Sequence, residues 1–339
     1  ESSLLPINKK GQKITLIGHL ANDNNSPLGN WRGAGDSNTA VTVLEGLEGH
    51  GNNSITYKKG VDLYYGETNF HNRVKLNHTD KTGFKEAKIA ARSADVVIMV
   101  LGEEGFQSGE GRSRTELGLP GLQQELLEEV FKVNKNIVLV LMNGRPLNLT
   151  WADQNIPTIV EAWHLGTQSG NAIAEVLYGD YNPSGKLTMS FPRNVGQVPI
   201  YYNYKKTGRP GASSAEVTRS TYADVENSPL YPFGYGLSYT SFEYSDLTIS
   251  SNEISRGDVI NASVKITNTG KLKGKEVVQM YIRDHYGSLA RPVKELKGFE
   301  LVELNAGETK EVSFEIDNSS LIYYTCLLYT SDAADDRSC

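Results

Sequence analysis

Asp95-Val-Val-Ile-Met-Val-Leu-Gly102 contains no polar side chain between its two ends. A half-exposed strand alternates apolar and polar residues, so an unbroken apolar run bounded by Asp and Gly predicts a strand covered on both faces. Asn136-Ile-Val-Leu-Val-Leu-Met142 repeats the pattern. Lys13-Ile-Thr-Leu-Ile-Gly18, Ser54-Ile-Thr-Tyr-Lys58 and Thr158-Ile-Val-Glu-Ala-Trp163 are shorter runs of the same kind. Helical patterns lie between them. Ser37 to Glu48 opens on a capping cluster, Lys81 to Ser93 carries apolar residues at helical spacing, Pro120 to Val133 has proline in its first turn, and Ser169 to Tyr178 stops at Gly179. This alternation predicts an α/β fold over residues 1–192, a doubly wound, mostly parallel sheet.

The loop leaving the central run is long and glycine-rich: Gly102-Glu-Glu-Gly-Phe-Gln-Ser-Gly-Glu-Gly-Arg-Ser-Arg-Thr-Glu-Leu-Gly-Leu-Pro-Gly-Leu-Gln123. It follows the carboxyl end of a central strand, where open α/β sheets bind ligands. Its acidic residues Glu103, Glu104, Glu110 and Glu116 are accompanied by Arg112 and Arg114. A carboxyl group on such an arm, brought beside a second carboxylate, meets the needs of glycoside cleavage: one group protonates the leaving oxygen while the other attacks or activates water.

Other ligand classes fit poorly. The turn Gly18-His-Leu-Ala-Asn-Asp23 lacks the glycine pattern of a dinucleotide site, and Gly179-Asp-Tyr-Asn-Pro-Ser-Gly-Lys186 has neither the spacing nor the following helix of a phosphate loop. The six histidines show no metal-ligand spacing, so neither a metal nor another cofactor is expected. The formal charge of −6 comes without a Lys/Arg block, which argues against nucleic acid and anionic lipid as partners. No apolar run approaches bilayer length, so no membrane partner is expected, and Glu1-Ser-Ser-Leu-Leu-Pro6 does not resemble a secretory leader.

Past residue 192 the texture changes. Residues 193–240 form a connector rich in Pro, Gly and Tyr, and 241–325 read as an all-β immunoglobulin-like sandwich. Its strand-like segments are Phe242 to Ser250, Val259 to Asn268, Glu276 to Arg283, Val293 to Leu304 and Lys310 to Ile316. Such a sandwich wants about seven strands, which leaves this one short of a terminal hairpin. Residues 326–339 hold both cysteines, Cys326 and Cys339, and resemble translated sequencing adapter instead of the end of a domain. Arg256-Gly-Asp258 is ordinary turn chemistry, with an adhesion or noncatalytic carbohydrate-binding module as the alternative.

Several ordered motifs together resemble bacterial β-glucosidases of glycoside hydrolase family 3. They are the run from Glu110-Gly-Arg-Ser-Arg-Thr to Gln123, Ala40-Val-Thr-Val-Leu-Glu-Gly46, Leu165-Gly-Thr-Gln-Ser-Gly-Asn-Ala172, Gly179 to Leu187, and Pro229-Leu-Tyr-Pro-Phe-Gly-Tyr-Gly-Leu-Ser-Tyr239. The resemblance implies that an amino-terminal catalytic barrel precedes the α/β sandwich domain and the fibronectin type III-like domain. It makes Glu110 the general acid/base, with Glu103 and Glu104 as alternatives. Trp31 becomes an aromatic at the sugar-binding entrance, and His19, Asp36 and Arg114 line the same cleft. The substrate it implies is an oligosaccharide or an aryl or alkyl glycoside carrying a terminal β-D-glucosyl residue, cleaved with retention. The family's nucleophilic Asp lies in the barrel, which no segment here matches, so residues 1–339 alone are expected to be inactive. A β-xylosidase or α-arabinofuranosidase of the same family is the nearest alternative, and the resemblance implies a periplasmic or secreted location.

Overall fold

The computed structural model describes residues 4–210, 218–255, 257–324 and 330–332. They divide into two compact units, one drawn from residues up to Tyr181 with Phe191–Val198, the other from Asn182–Ser190 and Pro199 onward.

The first unit runs β1 (Lys10–Ile17), α1 (Val43–His50), β2 (Asn52–Lys58), a small strap of β3 (Tyr64–Tyr65) and β4 (Lys75–Leu76), then α2 (Phe84–Arg92), β5 (Val96–Gly102), α3 (Gln123–Phe131), β6 (Ile137–Met142), α4 (Thr150–Asn155), β7 (Thr158–Glu161) and α5 (Ser169–Tyr178). The sheet order is β2-β1-β5-β6-β7, and every neighbouring pair is parallel. This is the α/β architecture expected from the apolar runs. β5 and β6 are buried along their whole length because α1 packs with α5 and α2 with α3, as right-handed crossovers in opposite directions require. Burying each of those Val, Ile and Leu side chains is worth roughly 1.5–3 kcal/mol, which holds β5 as a rigid base for the loop that leaves it. Winding reverses between β1 and β5, so the crevice beyond their carboxyl ends is the place this topology offers a ligand.

Helix boundaries follow caps more closely than periodicity. The first helix starts at Val43, not Ser37, because Thr42 and Glu45 form a capping box: Glu45 N donates to Thr42 Oγ1 at 3.2 Å and Thr42 N to Glu45 Oε2 at 2.8 Å. The last helix has the predicted span and ends at Gly179 in the left-handed region.

The second unit contains β8 (Phe242–Ile249), β9 (Ile260–Asn268), β10 (Gly274–Ile282), β11 (Glu295–Leu304) and β12 (Thr309–Ile316), then the short α6 (Asn318–Leu321), β13 (Ile322–Tyr324) and β14 (Thr330–Asp332). The antiparallel sheets β12-β9-β8 and β10-β11 enclose Ile266, Val278, Val302, Leu304 and Val312. This is the expected fibronectin type III-like sandwich. Arg256, Cys326 and Cys339 lie outside the described residues, and of the final 326–339 stretch only 330–332 are described.

Candidate active site

Gly102 is the root of the glycine-rich arm. Its φ of 142° and a Cβ position only 1.9 Å from Met142 O leave room for no side chain. Buried Gln123 ties the two ends of the loop together: Gly102 N donates to Gln123 Oε1 at 2.9 Å, while Gln123 Nε2 donates to Gly102 O at 2.7 Å and Pro120 O at 2.9 Å. One amide thus closes a loop of some twenty residues, 103–122.

The three candidate carboxylates have different surroundings. Glu103 is fully buried. It accepts from Arg114 Nη1 at 2.8 Å, from Arg145 Nε at 3.2 Å and from Gly144 N at 3.3 Å. Two guanidinium groups and a backbone amide occupy it. Glu104 is equally buried, with Oε2 accepting from Phe106 N at 2.7 Å. Desolvation raises its pKa, partly offset by that amide. Glu110 is exposed, between Gly109 (φ 111°) and Gly111 (φ 68°), which turn the chain at the tip of the arm.

The limbs of the arm are anchored on neighbouring segments. Asn30 Nδ2 donates to Ser108 O, and the Arg32 guanidinium lies 4.4 Å from the centre of the Phe106 ring. Beyond Glu110, Arg112 donates to Phe70 O on the strap. Trp31 is 68% exposed and meets Phe70 edge-on, ring centres 6.1 Å apart. Glu110's loop, Trp31 and Phe70 are therefore linked through Asn30, Arg32 and Arg112. The pair supplies an apolar face of the kind that receives sugar rings and aryl groups. Asp36 is exposed farther along the Trp31 loop, where Thr39 Oγ1 donates to its carbonyl at 2.9 Å.

His19 is differently engaged. Its Nδ1 accepts from Leu63 N at 3.2 Å, its ring lies 4.8 Å from Tyr64, and burial lowers its pKa. A neutral imidazole that props the strap follows from this. Arg114 serves Glu103 and Gly118 O, the latter at 3.0 Å. No local pattern in the sequence gives Arg145 or Gln123 a role at the site. Arg145 sits in Asn143-Gly-Arg-Pro146, a short turn without a motif, and only its distance from Glu103 reveals it.

At the end of β7, Glu161 accepts from Trp163 N at 3.0 Å and meets Asn143 Nδ2 at 3.3 Å. Desolvation pushes its pKa up to about 8 from 4.5, so the folded state keeps a proton that the unfolded chain releases. That contribution to stability is complete below pH 4.5 and falls away as pH rises to 8. Glu161→Gln is therefore expected to match the parent in thermal unfolding near pH 5 and to exceed it by several degrees at pH 8.5. His164 acts in the opposite sense: burial lowers its pKa to about 4, so its contribution is lost as pH falls from 6.5 towards 4. An equal difference between the two proteins at both pH values would contradict the assignment of a neutral Glu161.

The chain is 46% identical over 331 residues to the periplasmic beta-glucosidase of Salmonella typhimurium, covering 94% of this chain and 43% of that protein. It is 40% identical over 323 residues to a beta-xylosidase of Formosa agariphila, covering 93% and 42%. The solved beta-glucosidase of Listeria innocua in complex with glucose is similar at a TM-score of 0.85 and 36% identity, covering 97% of this chain and 44% of that one. The chain spans less than half the length of these relatives. Residues 276–326 match the fibronectin type III-like domain, and residues 1–239 match the glycosyl hydrolase family 3 C-terminal domain. With its parallel sheet, its anchored acidic arm and its sandwich, the chain belongs to glycosyl hydrolase family 3, of which it carries the C-terminal domain.

Proposed function

We propose that this chain is the acid/base-bearing part of a retaining β-glucosidase that removes terminal β-D-glucosyl residues from oligosaccharides or aryl and alkyl glycosides. The observation that carries the reading is the contrast among the three carboxylates. A general acid must come within hydrogen-bond reach of the glycosidic oxygen. Glu110 is the one exposed at the tip of an arm whose limbs are held, whereas Glu103 is taken up by two arginines and Glu104 is enclosed. The raised pKa of Glu104 reflects that enclosure, which also keeps it from a leaving group.

In this reading the nucleophilic carboxylate comes from the barrel that the family resemblance implies, about 5–5.5 Å from Glu110 in the assembled site. It attacks the anomeric carbon while Glu110 protonates the departing oxygen. Water then attacks the anomeric carbon, gives its proton to the now ionised Glu110 and breaks the bond to the nucleophilic carboxylate, which releases glucose. Trp31 and Phe70 flank the aglycone. A periplasmic or secreted location is in keeping with the Salmonella relative.

The test compares this chain alone with the same chain joined behind the unmatched amino-terminal part of the Salmonella relative. Aryl β-glucoside hydrolysis is expected from the joined protein and not from the chain alone. Hydrolysis by the isolated chain at the same rate would contradict a nucleophile supplied from outside it. The Formosa relative favours one second reading, a β-xylosidase, and an aryl β-xyloside assayed in parallel separates the two.

A further inference from the structure

Resting on the reading of Glu110 as acid/base, we propose that Glu103 is a positioning residue: with Arg114 and Arg145 it forms one clamp that holds both limbs of the arm and so sets where Glu110 is presented. Arg145 donates to Glu103 and, through Nη2, to Gln107 O on the limb before Glu110. Arg114 donates to Glu103 and, through Nη2, to Gly118 O on the limb after it. One buried carboxylate therefore joins two forks, each gripping the backbone on a different side of the tip. Gly144 N adds a donor from the turn after β6, which references the clamp to the sheet.

Stability alone is a poor account of this arrangement. Two cations and a carboxylate with little exposure cost desolvation, and an apolar cluster of similar volume would often be as stable. The clamp does what an apolar cluster cannot, since planar guanidinium forks fix direction as well as distance. Direction matters here because the arm contains Gly105, Gly109, Gly111, Gly118 and Gly121, and an unclamped arm has many conformations. A misplacement of about 1 Å can cost on the order of 100-fold in rate.

The experiment separates positioning of an acid from general support of the fold by varying the leaving group. Protonation matters most for a poor leaving group such as an alkyl alcohol and little for 2,4-dinitrophenolate. In the joined protein, Glu103→Gln is expected to slow alkyl β-glucoside hydrolysis roughly 10–100-fold while the first turnover of the dinitrophenyl substrate stays within about threefold. In the chain itself, amides 104–118 should lose hydrogen-exchange protection while those of β5 and β6 keep theirs. Arg145→Lys keeps the charge but not the fork, and it should reproduce both patterns if Glu103→Gln fails to fold. Equal slowing of both substrates, or unchanged rates with unchanged exchange, would overturn the clamp. A Glu110→Ala variant that hydrolyses the alkyl glucoside at the parent rate would instead overturn the reading on which it rests.

Discussion

Glu110→Ala, in the joined protein, is expected to reduce kcat/KM for alkyl β-glucosides by about 10²–10⁴-fold, the usual contribution of a positioned general acid. The loss should be selective. With 2,4-dinitrophenyl β-glucoside the first bond breaks without help, so formation of the glycosyl-enzyme should proceed at nearly the parent rate. Release then needs a base that the variant lacks, and the intermediate should accumulate. KM for that substrate should fall with kcat, and a burst of dinitrophenolate should precede a slow steady state. If the variant retained full activity on alkyl glucosides, Glu110 would not be the general acid.

The largest effect on the fold is expected at the root of the arm. Gly102→Ala places a methyl group 1.9 Å from Met142 O, on a residue at φ 142°, in register with Met142 on the adjoining central strand. The carbonyl it strikes also accepts from Glu103 N at 2.7 Å. Relief by a small side-chain movement is not available, since the obstacle is backbone. Backbone strain of about 1–3 kcal/mol and overpacking of about 1–3 kcal/mol together give a loss of about 4 kcal/mol. In a unit of this size that lowers Tm by on the order of 10 °C. Gly111→Ala is the control: it too has positive φ, but nothing lies within 4 Å of its Cβ position. Its cost should be near 1 kcal/mol. Equal Tm shifts for the two variants would contradict the close approach at Gly102.

The architecture was legible where one physical rule decided it. Apolar runs without alternation predict strands buried on both faces, and β5 and β6 are buried throughout. The sandwich strands fall within a few residues of their expected spans because turns between them carry Asn, Gly and Glu signals. Short or contact-dependent elements were not legible. The six-residue α4 is too brief to show a period, and β3 and β4 are two residues each, so the strap that carries Phe70 has no sequence signature. Within the arm, spacing marked Glu103, Glu104 and Glu110 alike. Their separation depends on Arg145, 42 positions beyond Glu103, and on Gln123, whose amide happens to reach both ends of the loop. Contacts of that kind are set by the folded sheet and not by any local pattern.

The most direct measurement is of the product that azide forms with Glu110→Ala in the joined protein. Azide needs no base to attack the glycosyl-enzyme, so it should restore turnover of the dinitrophenyl substrate and leave glucosyl azide in solution. Proton NMR of the anomeric centre then reads the stereochemistry. The account predicts β-glucosyl azide, formed by two inversions at a site whose acid/base has been removed. Rescue that gives the α-anomer, or no azide adduct from a variant that still hydrolyses glucosides, would contradict Glu110 as the acid/base of a retaining enzyme.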